Sequence, residues 1–465
     1  MVFSSFSFLF VFLPITLILY FIIPKDKITL KNIVLLVMSM IFYTLGETKY
    51  FGIMILSIVV NYVLALFMKR RKCVLILAIV FNIGLLCLFK YVNFFICTGN
   101  ALFHISLAPL NLTLPIGISF YTFQIMSYII DVYKGGVKPQ KNIINLATYI
   151  VLFPQLIAGP IVNYKTVEDD LKSRKQSWSD VAEGLRKFII GLGKKVIIAN
   201  NVAILADTIF NMNFFELGSG LILIGAIAYA LQIYFDFSGY SDMAIGLGKI
   251  FGFHFLENFN YPYTAKSITD FWRRWHISLS SWFREYVYIP LGGNRCSKIK
   301  WLRNILVVWM LTGFWHGANW NFILWGLYFA IILVVEKIWI HKIIEKLPSI
   351  VAHVYSIVLI LYGWIIFRVE DIHGIIYIFK AVIMFKKSDW VEFIGNNGEI
   401  VYVVPFFILG LIGCTPIVKK IKDKIISKMK NVGLYISDVG LVIIFGITIV
   451  FILSLSYNPF IYFRF

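Results

Sequence analysis

Thirteen apolar runs divide this chain: 6–23, 30–46, 50–68, 73–90, 115–133, 144–162, 188–206, 218–236, 303–317, 320–340, 350–367, 400–418 and 434–456. Runs of about 17–25 apolar residues cross a bilayer as helices, and those that are short or broken by glycine are candidates for re-entrant segments. The expectation is an all-α polytopic membrane protein of about 10–12 transmembrane helices, with further re-entrant and interfacial helices. Composition agrees. Of 465 residues 60% are hydrophobic and 14% charged, and mean hydropathy is +0.82. A soluble core of that size would need far more polar surface to cover it. The first run, Phe6 to Ile23, lacks a basic leader and a small-residue cleavage site, so it reads as a retained helix and not a signal peptide.

A formal net charge of +19 raises nucleic acid as a partner. The basic residues fall in short clusters between apolar runs, with no continuous basic face, so membrane lipid headgroups are the expected partner and nucleic acid is not. Lys69 to Lys72, Lys134 to Lys141 and Lys419 to Lys430 mark the cytoplasmic side. That places both chain ends outside and makes the number of complete crossings even, so at least one of the thirteen runs does not cross. There is no internal repeat and no low-complexity linker. The chain reads as one membrane domain: amino-terminal helices in 1–110, a core in 111–340, carboxyl-terminal helices in 341–456 and an extracytoplasmic aromatic tail in 457–465. Residues 163–187 read as an interfacial amphipathic helix and 386–399 as an outer loop. The five cysteines show no metal-binding spacing, and no metal is expected.

Two histidines stand out. His316 lies in Phe314-Trp315-His316-Gly317-Ala318-Asn319-Trp320, between two apolar runs. An imidazole at membrane depth costs free energy and needs a partner, a water-filled cavity or a chemical role. The plainer reading is a histidine bonded to a neighbouring helix. His276 lies in the basic, aromatic stretch Ile268 to Tyr286, read as a helix capped by Thr269 or Asp270, with Trp272, Trp275 and His276 on one face. Arg273, Arg284 and Glu285 would reach headgroups or phosphates. An interfacial helix with an aromatic belt explains the Trp and Arg residues and leaves the histidine without a reason. Tyr288 to Arg295 contains Pro290, Gly292 and Gly293, a turn that ends the helix.

The strings Phe271-Trp272-Arg273-Arg274-Trp275-His276-Ile277-Ser278-Leu279-Ser280, Tyr288-Ile289-Pro290-Leu291-Gly292-Gly293-Asn294 and Gly313-Phe314-Trp315-His316-Gly317-Ala318-Asn319-Trp320 closely resemble the membrane-bound O-acyltransferases. Within that family they look like the alginate/peptidoglycan O-acetyltransferase branch. Leu114 to Gln124, Phe153 to Ile161 and Tyr234 to Asp242 extend the resemblance over about residues 110 to 330. Glu285 stands where this branch usually has Asp, with the charge kept. The resemblance implies His316 as the catalytic histidine and His276 as a second active-site residue. Acyl transfer to a hydroxyl needs a base, and imidazole, with an ordinary pKa near 6.5, suits that role at neutral pH. His276, Asn319 or a backbone N–H would orient the base or stabilise the oxyanion. Asn319, Trp315, Trp275, Arg273, Arg274 and Asp236 are candidates for substrate or donor binding, and Asp242 for the same or for structuring the site. No G-x-S-x-G elbow is present, which disfavours a serine-centred mechanism.

Phe460, Tyr462 and Phe465 have the F-x-Y-x-x-F spacing of a terminal motif associated with bacterial envelope acylation. Tyr462 is thus a candidate acyl carrier, against the alternative of an interfacial aromatic anchor. The resemblance implies an enzyme of the bacterial plasma membrane that binds no cofactor and uses acetyl-CoA as co-substrate. The expected partners are an acyl-CoA donor, a polysaccharide or peptidoglycan acceptor and a separate extracytoplasmic SGNH/GDSL-like acyltransferase. D-alanyl transfer to teichoic acid is the chemical alternative. A transporter with a histidine proton relay, or a membrane scaffold, are the alternatives of other classes. The first would be expected to show paired pseudo-repeats, and the second leaves the histidines unexplained.

Overall fold

A computed structural model describes residues 1–157 and 159–454, and every regular element among them is a helix. Among the described residues six helices are long and apolar enough to cross a membrane: Lys72–Phe103, Trp178–Phe210, Ser219–Ile250, Trp320–Ile344, Ser349–Arg368 and Ile417–Ser454. Trp390–Asn396 and Gly398–Gly413 make a broken apolar pair bent by 93°, and Phe8–Ile22, Ile28–Thr44, Phe51–Phe67 and Ile372–Ile383 are shorter apolar helices. The chain is an all-α, multi-pass membrane protein. The described residues form two compact units, one of 1–188 with 240–257, the other of 189–239 with the chain from 258 onward. Two of the three boundaries, 188/189 and 239/240, fall inside Trp178–Gly193 and Ser219–Ile250.

Several of the thirteen runs fold otherwise than as single spans. Run 144–162 breaks at Leu152 (φ −52°, ψ 111°) into Ile143–Val151 and Phe153–Leu156. Pro154 suits the first turn of the second helix, and the Ser39 hydroxyl accepts the Phe153 N–H at 3.0 Å. Run 303–317 is the end of Lys298–His316, whose first turns carry Lys298, Lys300 and Arg303. Residues 163–187 hold the helix Tyr164–Ser173 and the start of Trp178–Gly193, not one helix, and 386–399 contains the short helix Trp390–Asn396.

In the second unit, Lys298–His316 and Trp320–Val335 form an antiparallel pair packed backbone to backbone through glycines. A Cβ on Gly313 would stand 2.2 Å from the Phe322 carbonyl oxygen, and one on Gly326 2.3 Å from that of Trp309. Small residues at such crossings let helices associate in a solvent where burial of apolar surface gives no drive. The approach brings Trp325 and Phe329 against Trp272, Trp309 and Trp364 in one aromatic core. Gly326→Leu should therefore abolish the folded, monodisperse protein in detergent, read by fluorescence-detected size exclusion. An exposed-position control, Ile331→Ala, should leave the profile unchanged.

Candidate active site

The element that carries His276 is two helices, not the single helix expected for 268–286. Ile268–Arg274 begins at Ser267, whose side chain accepts the Asp270 N–H at 3.0 Å, so the cap is neither Thr269 nor Asp270. The buried Glu336 carboxylate reinforces that end, accepting from Ile268 N (2.6 Å), Thr269 N (2.9 Å) and the Thr269 hydroxyl (2.8 Å). A carboxylate is well placed there, since free N–H groups and the helix dipole both favour an anion. The helix stops at Arg274, Trp275 is extended, and His276 takes φ +44°, ψ 55° before Ile277–Phe283 begins.

Asn258 is the reason for the break. Its backbone oxygen accepts the Ile277 N–H at 2.9 Å, and its Oδ1 accepts the Ser278 N–H at 3.0 Å and the Ser278 hydroxyl at 2.9 Å. Asn260 N donates to Arg274 O at 2.9 Å. The 258–260 segment thus takes over backbone bonds that a continuous helix would have made internally. A left-handed non-glycine residue costs on the order of 1–3 kcal/mol and persists where its surroundings over-determine it.

The same Asn258 Oδ1 lies 3.3 Å from His276 Nδ1. Because this oxygen already accepts a backbone N–H, the amide orientation is fixed, and Nδ1 is the ring nitrogen that carries the proton. Nε2 then presents a lone pair. It is buried and has no hydrogen-bond partner among the described residues. The ring sits edge-on to Phe237 at 4.5 Å, with Phe259 at 6.4 Å and Trp315 at 6.1 Å. His276 lies outside the spanning segments, and burial, then the charge of nearby His316, holds its pKa well below 6.5. It is therefore neutral at physiological pH.

His316 is the last residue of Lys298–His316 and is also buried. Its ring meets Trp315 at 5.0 Å, Trp325 at 5.1 Å and Phe367 at 5.2 Å. Trp315 thereby touches both imidazoles. Phe367 is held by Asn321, whose amide nitrogen donates to Phe367 O at 3.0 Å and Ile366 O at 3.4 Å. The structure so brings together three of the expected residues: His276, Trp315 and His316.

The others are placed differently. Asn319 caps Trp320–Val335, its side-chain oxygen accepting the Trp320 N–H at 2.6 Å. Trp275 is buried among Trp364 (4.8 Å), Phe259 (5.1 Å) and Phe271 (5.6 Å), as a core residue. Arg274 pairs with Asp270 at 2.9 Å and Arg273 is exposed. Asp236 is committed to a buried ion pair with Lys195 at 2.7 Å, between two spanning helices. Lys195 sits on a π-helical turn, Lys194–Ala199, of the kind that re-aims side chains at functional sites. Asp242 pairs with Lys187 at 3.2 Å within the first unit. Tyr462 lies outside the described residues. Asn258, Asn321, Glu336 and Lys195 escaped sequence reading, because each acts through backbone groups or a partner distant in the chain.

A helical membrane protein with two buried imidazoles about one tryptophan, one of them tied to a fixed tautomer, has the makings of a proton-transfer site. Residues 139–369 match the model of the MBOAT, membrane-bound O-acyltransferase family. A probable alginate O-acetylase of Azotobacter vinelandii is 41% identical over 84% of this chain and 79% of the relative. A Helicobacter pylori peptidoglycan O-acetyltransferase is 36% identical over 82% and 80%, and a Bacillus subtilis teichoic acid D-alanyltransferase 34% over 57% and 71%. The chain belongs to the membrane-bound O-acyltransferase family, and it is an O-acyltransferase.

The sign of the His276 shift gives a stability test. A folded-state pKa below the unfolded value means that the unfolded chain binds more protons, so stability is present above pH 6.5 and is lost as pH falls below it. Melting of the detergent-solubilised protein should show wild type losing ground to His276→Gln between pH 7.5 and 5. Wild type gaining over that range would contradict the assignment.

Proposed function

We propose that this enzyme moves an acetyl group from cytosolic acetyl-CoA across the bacterial plasma membrane, for O-acetylation of an extracellular polysaccharide or peptidoglycan. The observation that carries it is the pairing of His276 and His316 about Trp315 at the end of Lys298–His316. His316 acts as the base, taking the proton of the attacking hydroxyl as the tetrahedral centre forms. His276 is neutral and offers an acceptor at Nε2, which suits it to orient the incoming group and not to donate to an oxyanion. The aromatic walls exclude water, so the acyl group is protected from hydrolysis. No bound cofactor takes part; acetyl-CoA is consumed as co-substrate. Both the 84% coverage by the alginate O-acetylase relative and the 57% coverage by the D-alanyltransferase favour acetyl over D-alanyl as the group carried.

The attacking hydroxyl in this reading is the phenol of Tyr462. Its oxygen attacks the thioester carbonyl while His316 takes the proton, and coenzyme A leaves as the thiol with that proton returned to it. An extracytoplasmic SGNH/GDSL-like acyltransferase then collects the acetyl group for a hydroxyl of the polymer, and the polymer's proton goes back to the phenolate. A phenol with an ordinary pKa of about 10 is a good leaving group for that step. In cells carrying the whole system, His316→Ala should lower polymer acetylation about 10²–10⁴-fold, the usual worth of a general base. Tyr462→Phe should abolish it as well, and full acetylation in Tyr462→Phe would remove the relay while leaving the role of His316 intact.

A further inference from the structure

Among the described residues, the first unit buries a guanidinium without a carboxylate partner and sets a lysine beside it. Arg174, at the end of Tyr164–Ser173, is 6% exposed, and Lys31, one turn into Ile28–Thr44, is 3% exposed. Both stand over the Tyr20 ring, Lys31 Nζ at 4.6 Å and Arg174 Cζ at 5.6 Å from its centre. Arg174 also lies 4.6 Å from the centre of the Phe253 ring. Among the described residues its donors reach only neutral acceptors: Nε the Tyr20 hydroxyl at 2.9 Å, and Nη1 Asn32 Oδ1 at 2.6 Å and Asp170 O at 3.2 Å. Nη2 is buried with no hydrogen-bond partner among the described residues.

The nearby acids are engaged elsewhere. The Asp170 carboxylate faces His254, with Oδ2 3.3 Å from its N–H and 3.7 Å from its Nδ1, and Asp26 pairs with Lys27 at the surface. No carboxylate lies within ion-pair distance of Arg174 or Lys31 among the described residues. Lys25 adds a third positive charge within electrostatic reach of Lys31, and the first turn of Ile28–Thr44 has no side-chain cap. Buried charges are ordinarily paired, because an unpaired one keeps most of its desolvation cost. A guanidinium does not escape by losing its proton. A lone helix end with a lysine is a weak signal; an orphaned, buried guanidinium nitrogen beside it is a second and independent one.

We propose that Arg174 Nη2 and Lys31 Nζ, the latter in the first turns of Ile28–Thr44, bind a phosphate group. The geometry of a planar guanidinium plus a mobile ammonium suits a tetrahedral oxyanion better than a carboxylate, which one guanidinium fork would satisfy. The phosphate is either that of a phospholipid headgroup or one on a soluble molecule, and the inference does not depend on the acetyl-transfer reading.

The test uses the full chain in an uncharged detergent, stripped of lipid. Melting is followed while dioctanoyl-phosphatidylglycerol, coenzyme A or inorganic phosphate is titrated, with dioctanoylglycerol as the phosphate-free control. At least one phosphate probe should raise the melting temperature saturably where the control does not, and which one responds identifies the source. In Lys31→Met the midpoint of that titration should rise about tenfold, the loss expected for one charge-assisted contact. Lys31→Arg should titrate within a few-fold of wild type. No response of wild type to any of the three probes overturns the site, as does an unchanged midpoint in Lys31→Met. If Lys31→Met does not fold, the wild-type titration against the phosphate-free control still decides.

Discussion

The arrangement of the candidate site depends on one side chain, Asn258. Its Oδ1 draws in the N–H and hydroxyl of Ser278 and faces His276 Nδ1, while its backbone oxygen takes the Ile277 N–H. Those bonds split what would be one helix, force His276 into the left-handed region and settle which of its nitrogens holds the proton. The aromatic rings around the imidazole then set its charge state, since burial among Phe237, Phe259 and Trp315 penalises the protonated form. Backbone geometry and tautomer thus share one cause, and the neutral state comes from the burial beside it.

Buried charge serves as scaffold elsewhere in the same unit. Glu336 holds the start of Ile268–Arg274 from within the Trp320–Ile344 span, and Lys195 with Asp236 ties two spans together. Each is costly to desolvate, and removing one partner of a buried pair costs about 3–5 kcal/mol. Such contacts specify position more than they add stability. In a bilayer, where helices gain little from burying apolar faces against one another, position has to come from close glycine packing and from polar contacts of this kind. Gly313 and Gly326 supply the first, Glu336 and Lys195 the second.

The apolar runs were legible as helices because lipid leaves the backbone no other partner, and His316 was legible because an imidazole between two apolar runs is conspicuous. The resemblance to a family was legible in long contiguous strings about both histidines. The break at His276 was not, since it is imposed by Asn258, eighteen residues away in the chain. Arg274 and Asp236 looked available for ligands only because their partners, Asp270 and Lys195, are settled by folding. The split of run 144–162 depends likewise on Ser39, far upstream. Local pattern gave the elements, and contacts between distant segments decided where they break and what their polar groups do.

The most direct test of the central claim is the rate of acyl transfer by Asn258→Leu and Asn258→Asp, with protein level and melting temperature matched to wild type. Leu is close in size and offers no acceptor, so His276 would lose its fixed tautomer; the rate should fall about 10²-fold, within the range ascribed to a positioned acid–base group. Asp keeps an acceptor for Nδ1–H and for Ser278, and should retain most of the activity. Wild-type rates in Asn258→Leu would contradict the account, because the site would then work without the contact that shapes it.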